Sequence, residues 1–282
     1  MVSATSGSEL TQQQAESSYR TANGTPVWVS GAGPTVILVH GVLMDHRMWA
    51  PQVAAFANDY RVCCIDMLGH GSAPNPPGVR TLDDFVAQLH EVVTHFSDNG
   101  APVVGGFSMG GLITQAYAIR YHADLRGAMI MNAVYDRSAE QSAIVRQRSQ
   151  EMCDVGVAAA LESANSRWFV AVDKQHRAPQ IEMILDWMRD GEFAAKVKAH
   201  QVFATSDTEN TGKLQQIRCP TLVMTGDGDA GSTPAMAEQM AAELPDSELH
   251  VLDAQRHMMT VLDAARVNSI IGEFLRRAFA AS

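Results

Sequence analysis

The chain has 282 residues, 46% of them hydrophobic and 18% charged, with a formal net charge of −10. This is enough apolar material for a buried core, which excludes a disordered chain, and the acidic balance excludes nucleic acid or an anionic membrane as the main partner. Cys63, Cys64, Cys153 and Cys219 form no C-x-x-C pair and no zinc-spaced cluster, so no metal site is expected, and thiols of this kind suit the reducing cytoplasm.

Residues 1–18 are polar and lack the basic start and apolar stretch of a secretory leader; they read as a flexible tail. No apolar run is long enough to span a bilayer. Short β-rich segments follow near 18–20 and 25–29. Residues 35–39 (TVILV) are a continuous β-branched and aliphatic run ending at His40-Gly41, the pattern of a strand buried on both faces of a parallel sheet. A helix is expected over 51–57, with Pro51 at its start. Residues 61–65 (RVCCI) form the next strand, in which Cys63 and Cys64 act as small apolar residues. A proline-rich loop leads to a helix over 81–96, with Thr81 as its cap and Asp83 and Asp84 in its first turn.

A strand beginning at 102–104 runs into GGFSMGG at 105–111, followed by a helix to about Tyr121 and a strand over 125–131. Strand and helix alternate with short connections, so a mostly parallel sheet covered on both faces is expected. The rhythm then changes. Residues 134–216 are helical, polar and rich in alanine, and read as an insertion into an α/β core made of 19–133 and 217–282. Residues 220–224 (PTLVM) restore the buried-strand pattern, before a helix over 233–244, a strand over 248–252 and a last helix over 264–279.

Gly106-Phe107-Ser108-Met109-Gly110 fits G-x-S-x-G and sits between a buried strand and a helix, which is the setting that motif requires. A serine on so sharp a turn has its hydroxyl pushed into the open, and the helix start aims N–H groups at developing negative charge. The segment has neither G-x-G-x-x-G nor the Lys-Ser/Thr of a phosphate loop. Ser108 is therefore the expected nucleophile. It needs a base, and His257 follows the last strand by a few residues, where loops reach the crevice at the strand ends. The acid belongs after the strand 220–224, where Asp227 and Asp229 both stand. Asp227 suits a turn-holding role and Asp229 reaches farther into the loop. A rival position near Asn132 and Asp136 ranks lower, because an amide cannot balance an imidazolium. The oxyanion donors are expected to be the backbone N–H groups of Met109 and Val42, with His40 a structural, hydrogen-bonded residue.

In order along the chain, HG at 40–41, Trp49, DMLGHGS at 66–72, GFSMGG at 106–111, PTLVMTGDGD at 220–229, TP at 233–234 and RHM at 256–258 resemble the α/β-hydrolase superfamily. That resemblance implies an eight-stranded sheet, a helical cap after the sixth strand, and Asp229 as the acid of a Ser-His-Asp triad working without a cofactor. Ser-Met-Gly-Gly recurs in enol-lactonases, carbon–carbon bond hydrolases and perhydrolases, and Ser166-Arg167-Trp168-Phe169 is similar to a cap stretch of 3-oxoadipate enol-lactonases. Relatives with aspartate at the elbow, the epoxide hydrolases and dehalogenases, are excluded by Ser108. The expected activity is hydrolysis of a small ester or lactone through an acyl-enzyme, with Arg167, Trp168 and Phe169 as candidate substrate contacts and Arg167 reading a carboxylate. A carbon–carbon bond hydrolase, a cofactor-free haloperoxidase or perhydrolase, and a non-enzymatic ligand receptor are the rival readings.

Overall fold

The continuous apolar runs of the sequence form the centre of one eight-stranded sheet in the computed structural model, which describes residues 19–280. The expected tail over 1–18 lies outside the described residues. The strands are β1 (Tyr19–Arg20), β2 (Pro26–Ser30), β3 (Thr35–Val39), β4 (Arg61–Ile65), β5 (Val103–Phe107), β6 (Gly127–Met131), β7 (Thr221–Gly226) and β8 (Ser247–Leu252). Their order across the sheet is β1-β2-β4-β3-β5-β6-β7-β8. β2 pairs antiparallel with both β1 and β4, and every other pairing in the sheet is parallel. Strands β3, β5, β6 and β7 are buried along their whole length, as their unbroken apolar character requires, whereas the edge strand β8 is half-buried.

Between strands run α1 (Ala50–Phe56), α2 (Leu82–Phe96) and α3 (Met109–Tyr121). Proline starts α1, and the Thr81 N–H donates to Asp84 Oδ2 (2.7 Å) at the head of α2, so both helices begin where their capping residues predict. Five helices fill the stretch between β6 and β7: α4 (Ala139–Val155), α5 (Val157–Arg167), α6 (Ala171–His176), α7 (Ala178–Arg189) and α8 (Phe193–Phe203). The chain closes with α9 (Pro234–Glu243), a short α10 (Met259–Leu262) and α11 (Ala264–Ala280). Among the described residues, no helix is long and apolar enough to cross a membrane.

Two local expectations change. The strand anticipated over 125–131 starts at Gly127, because residues 122–124 form a 3-10 turn that Leu125 N–H closes onto His122 O (3.3 Å). The loop before the last helix contains α10, a single turn too short to carry a periodic signal.

Buried Cys63 and Cys64 face the core of β4, and burial pushes both thiols up, Cys63 to about 12. They stay protonated and inert at neutral pH.

Gly272 lies in the middle of α11, and a Cβ built there meets Phe56 Cε1 at 3.5 Å, an ordinary contact. Gly272→Ala therefore stabilises the fold by about 0.5–1 kcal/mol through lost unfolded-state freedom. A thermal melt should rise by roughly 1–4 °C; a fall would mean that α11 and α1 cannot accommodate one methyl group.

Candidate active site

The parallel strands β3, β5, β6, β7 and β8 lie side by side in the sheet, so their C-terminal ends form one row. Each end carries one residue of the site: Val42 after β3, Ser108 after β5, Asn132 after β6, Asp229 after β7 and His257 after β8. Residues scattered over more than two hundred positions meet because the sheet order is fixed by the buried strands.

Ser108 has φ 55° and ψ −114° at the start of α3, a left-handed conformation that costs a non-glycine residue energy. Its N–H donates to Met131 O of the neighbouring strand end (2.8 Å), which holds the turn. The turn is also too tight for a side chain at Gly106, where a Cβ would lie 2.0 Å from Gly110 O. Gly41 presses on the same place from β3, its built Cβ falling 3.2 Å from Ser108 Cβ.

The loop after β3 is held by two buried histidines. His40 Nε2 accepts from Met67 N–H (2.9 Å), so Nδ1 carries the proton and donates to Gly41 O (2.7 Å). Met44 N–H reaches the same carbonyl (3.1 Å). Because the peptide is planar, fixing Gly41 C=O fixes Val42 N–H to point the other way. His70 Nε2 accepts from Leu43 N–H (3.1 Å), and Leu43 has φ 70°. Burial lowers the pKa of both histidines, as their acceptor roles demand. Among the described residues, no acceptor takes the N–H of Val42 or of Met109.

His257 Nδ1 donates to Asp229 Oδ2 (2.7 Å), and its Nε2 stands 3.2 Å from Ser108 Oγ, which donates to it. The imidazole packs between Phe107 and Trp168, at ring separations of 4.9 and 5.3 Å. Asp229 is 3% exposed. Burial by itself would raise its pKa, but the charge and hydrogen bond of His257, the Asn132 amide and Ser232 N–H hold it below the ordinary carboxylate value. Asn132 Nδ2 donates to Oδ2 (2.9 Å), while Gly231 and Ser232 N–H donate to Oδ1 (2.9 and 3.0 Å). The two alternatives left by the sequence separate cleanly in space. Asp227 is exposed and accepts Gln255 N–H (3.2 Å), bracing the turn. Asp136 is exposed and bonded to Thr211 Oγ1 (3.2 Å). Asn132, weighed only as a poor substitute for an acid, is a donor to the acid.

A narrow cavity, partly open to solvent, lies between the sheet and the inserted helices. Val42, Ser108 and His257 line it from the sheet side, and Arg148, Arg167 and Trp168 from the inserted helices. Phe169 does not line it: the residue is 1% exposed and packs into the core, a correction to its candidate role as a substrate contact. An aromatic pair on a helix end sends its two rings in different directions, and here only Trp168 turns toward His257. Lys196, on α8, was not anticipated. Its buried ammonium donates to Trp187 O (2.8 Å) and to Leu43 O (3.4 Å), tying α7 and α8 to the loop after β3. Burial lowers its pKa to about 8. Arg256 reaches Ser166 O (3.3 Å) and Phe169 O (3.2 Å) and ties the His257 loop to the end of α5.

Asp45, His46 and Asp66 form a cluster of potential metal ligands. Their atoms are already engaged: Asp66 Oδ1 with His46 Nδ1 (2.9 Å), Oδ2 with Ser72 N–H (2.9 Å), and Asp45 with Arg47. The cluster is a loop brace.

Residues 36–270 match the sequence profile of the "Alpha/beta hydrolase family". The chain is 29% identical over 245 residues to an (E)-2-((N-methylformamido)methylene)succinate hydrolase of Acinetobacter baylyi, covering 87% of this chain and 91% of that protein. It is 25% identical to 3-oxoadipate enol-lactonase 2 of the same species, covering 86% and 89%. Among solved structures, a malate-bound thermophilic esterase from Thermogutta terrifontis superposes with a TM-score of 0.82 at 28% identity, covering 90% of this chain and 93% of that one.

The buried histidines make stability depend on pH. Burial holds His40 and His70 below the ordinary histidine value, and burial with three nearby arginines pushes His200 to about 3. Below pH 6.5 the unfolded chain takes up protons that the folded chain refuses, so stability present above that pH is lost as pH falls. Each such histidine costs up to roughly 1.4 kcal/mol per pH unit. Melts between pH 7.5 and 5 should fall progressively, and His70→Gln, which keeps an acceptor for Leu43 N–H, should flatten the slope. A wild-type melting temperature independent of pH over that range would show that these rings are not locked neutral.

Proposed function

The chain belongs to the alpha/beta hydrolase family, and from that premise we propose that it is a serine hydrolase of small esters or lactones, with Ser108 as nucleophile, His257 as general base and Asp229 as the orienting acid. The observation that carries this reading is the unbroken hydrogen-bond line from Ser108 Oγ through His257 to Asp229. With Nδ1–H committed to Asp229, Nε2 is the free lone pair and is aimed at the serine hydroxyl. His257 takes the Ser108 proton as Oγ attacks the substrate carbonyl. The Val42 and Met109 N–H groups receive the charge on the carbonyl oxygen. The imidazolium then gives its proton to the leaving oxygen, and the acyl group stays on Ser108. Water, deprotonated by the same nitrogen, attacks the acyl carbon, and the imidazolium returns its proton to Ser108 Oγ as the acid is released.

The inserted helices act as the cap. Trp168 closes over His257, and Arg167 reads a carboxylate on the substrate. Arg167 is supported by its place in the cavity wall and by its lack of a carboxylate in hydrogen-bonding contact: its Nη2 donates only to the neutral Ser163 Oγ (2.9 Å). The names of the similar hydrolases point the same way, toward a substituted succinate, an oxoadipate lactone and malate. Four unpaired cysteines support a cytoplasmic protein.

The decisive variants are at the two aspartates. Asp229→Asn should lower kcat/KM on an activated ester by ~10⁴, since the amide favours the wrong imidazole tautomer, while Asp227→Asn changes it by less than about tenfold, as expected of an exposed turn residue. Equal losses, or a loss confined to Asp227→Asn, would move the acid. Product analysis separates ester cleavage from carbon–carbon bond cleavage, which the same triad can perform.

Selection by Arg167 is tested with an ester bearing a remote carboxylate and its amide-capped analogue. Wild type should prefer the acid by about tenfold or more, and Arg167→Ala should lose that preference while keeping activity on the capped ester. A preference unchanged in the variant would remove Arg167 from substrate recognition.

A further inference from the structure

The wall that the inserted helices present to the cavity holds more positive charge than one carboxylate needs. Arg137, Arg148 and Arg167 all line the space that Ser108 lines. Arg137 alone has a carboxylate partner: its Nη1 meets Asp207 Oδ1 at 2.9 Å, and its N–H meets Oδ2 at 2.9 Å. The opposite edge of the same guanidinium, Nε and Nη2, is buried and has no partner among the described residues. Both nitrogens are closed to the cavity, so this guanidinium acts on it through its charge. Arg148, half-buried on α4, makes no hydrogen bond or ion pair among the described residues, and Arg167 meets only a hydroxyl. Asp229 lends Arg167 its field but no oxygen, because both of its oxygens are spent on His257, Asn132, Gly231 and Ser232.

The three cations also bear on one another. Burial lowers the pKa of Arg137 and of Arg167, the charge of Arg148 adds to the lowering, and burial with all three guanidiniums acts the same way on His200 in the same wall. His200 therefore stays neutral and adds no charge. Like charges gathered in a partly desolvated wall are unfavourable until an anion joins them. The overall charge of −10 does little against this, since exposed charges beyond about 10 Å are screened. The guanidiniums are anchored at separate places, Arg137 by Asp207 and Phe203 O, and Arg167 by Ser163. Two separate anchors suit two separate acid groups better than one compact dianion.

We propose that Arg148 receives a second carboxylate, so that the substrate is a small acyl compound carrying two acid groups, one on Arg167 and one on Arg148, besides the bond that Ser108 attacks. This deepens the serine-hydrolase reading and rests on it for the chemistry, but the binding itself needs no turnover.

Calorimetric titration of the whole protein at low ionic strength tests it. The probes are succinate, glutarate and adipate, the half-amide of each, and inorganic phosphate. The best diacid should bind about tenfold more tightly than its half-amide, the usual scale for one charge-assisted pair in a partly solvated site. Arg148→Met should erase that ratio while leaving half-amide binding in place, which also shows that the variant is folded, and Arg148→Lys should keep part of it. Ser108→Ala should keep the whole ratio, so a failure of the catalytic assignment and a failure of this one give different results. The proposal is overturned by no saturable binding of any diacid, by equal binding of diacid and half-amide, by a ratio that survives in Arg148→Met, or by phosphate binding as tightly as the best diacid.

Discussion

A carboxylate buried as deeply as Asp229 stays ionised only when its lone pairs are answered, since an uncompensated charge in the interior costs several kcal/mol. Four donors answer it here: His257 Nδ1, Asn132 Nδ2 and the N–H groups of Gly231 and Ser232. Those donors come from the ends of β6, β7 and β8, so the anion can exist only where these three strands end together. The anion in turn fixes the tautomer of His257 and the aim of Nε2. The positive φ of Asn132 and the strained turn at Ser108 are local costs that the surrounding strands hold in place. The reaction proposed for this protein depends on that one ionised group more than on the serine's own surroundings.

The helices between β6 and β7 are coupled to this centre by a few polar links rather than by sequence proximity. Lys196 reaches Leu43 O, Arg256 reaches Phe169 O, and Trp168 packs on the His257 ring. Each link joins the insertion to a loop that holds a proposed donor or base. Substrate recognition and positioning of the oxyanion loop thus share supports, and a change in the insertion can be felt in the rate as well as in binding.

Much of this was legible in the chain because buried parallel strands advertise themselves. TVILV, VVGGF and TLVMTG are unbroken apolar or small runs, and all three are buried strands. The glycines around Ser108 mark a turn where backbone atoms approach too closely for side chains, so the elbow was visible too. Asn132 was harder to read, since its contribution is a single amide proton delivered across 97 positions of sequence. The arginine wall escaped for another reason. Arg137 lies in the loop before α4, and Arg148 and Arg167 lie on polar, alanine-rich helices whose weak periodicity does not say which way a side chain turns. The same ambiguity explains Phe169, which reads like a pocket residue beside Trp168 and is a core residue.

The account stands on a serine hydroxyl made reactive by its neighbours, and covalent capture by a fluorophosphonate tests that most directly. Intact-mass and peptide mapping should find one adduct, on Ser108, formed far more slowly in His257→Gln and absent in Ser108→Ala. An adduct on another residue, or labelling that proceeds at the wild-type rate without His257, would contradict the account.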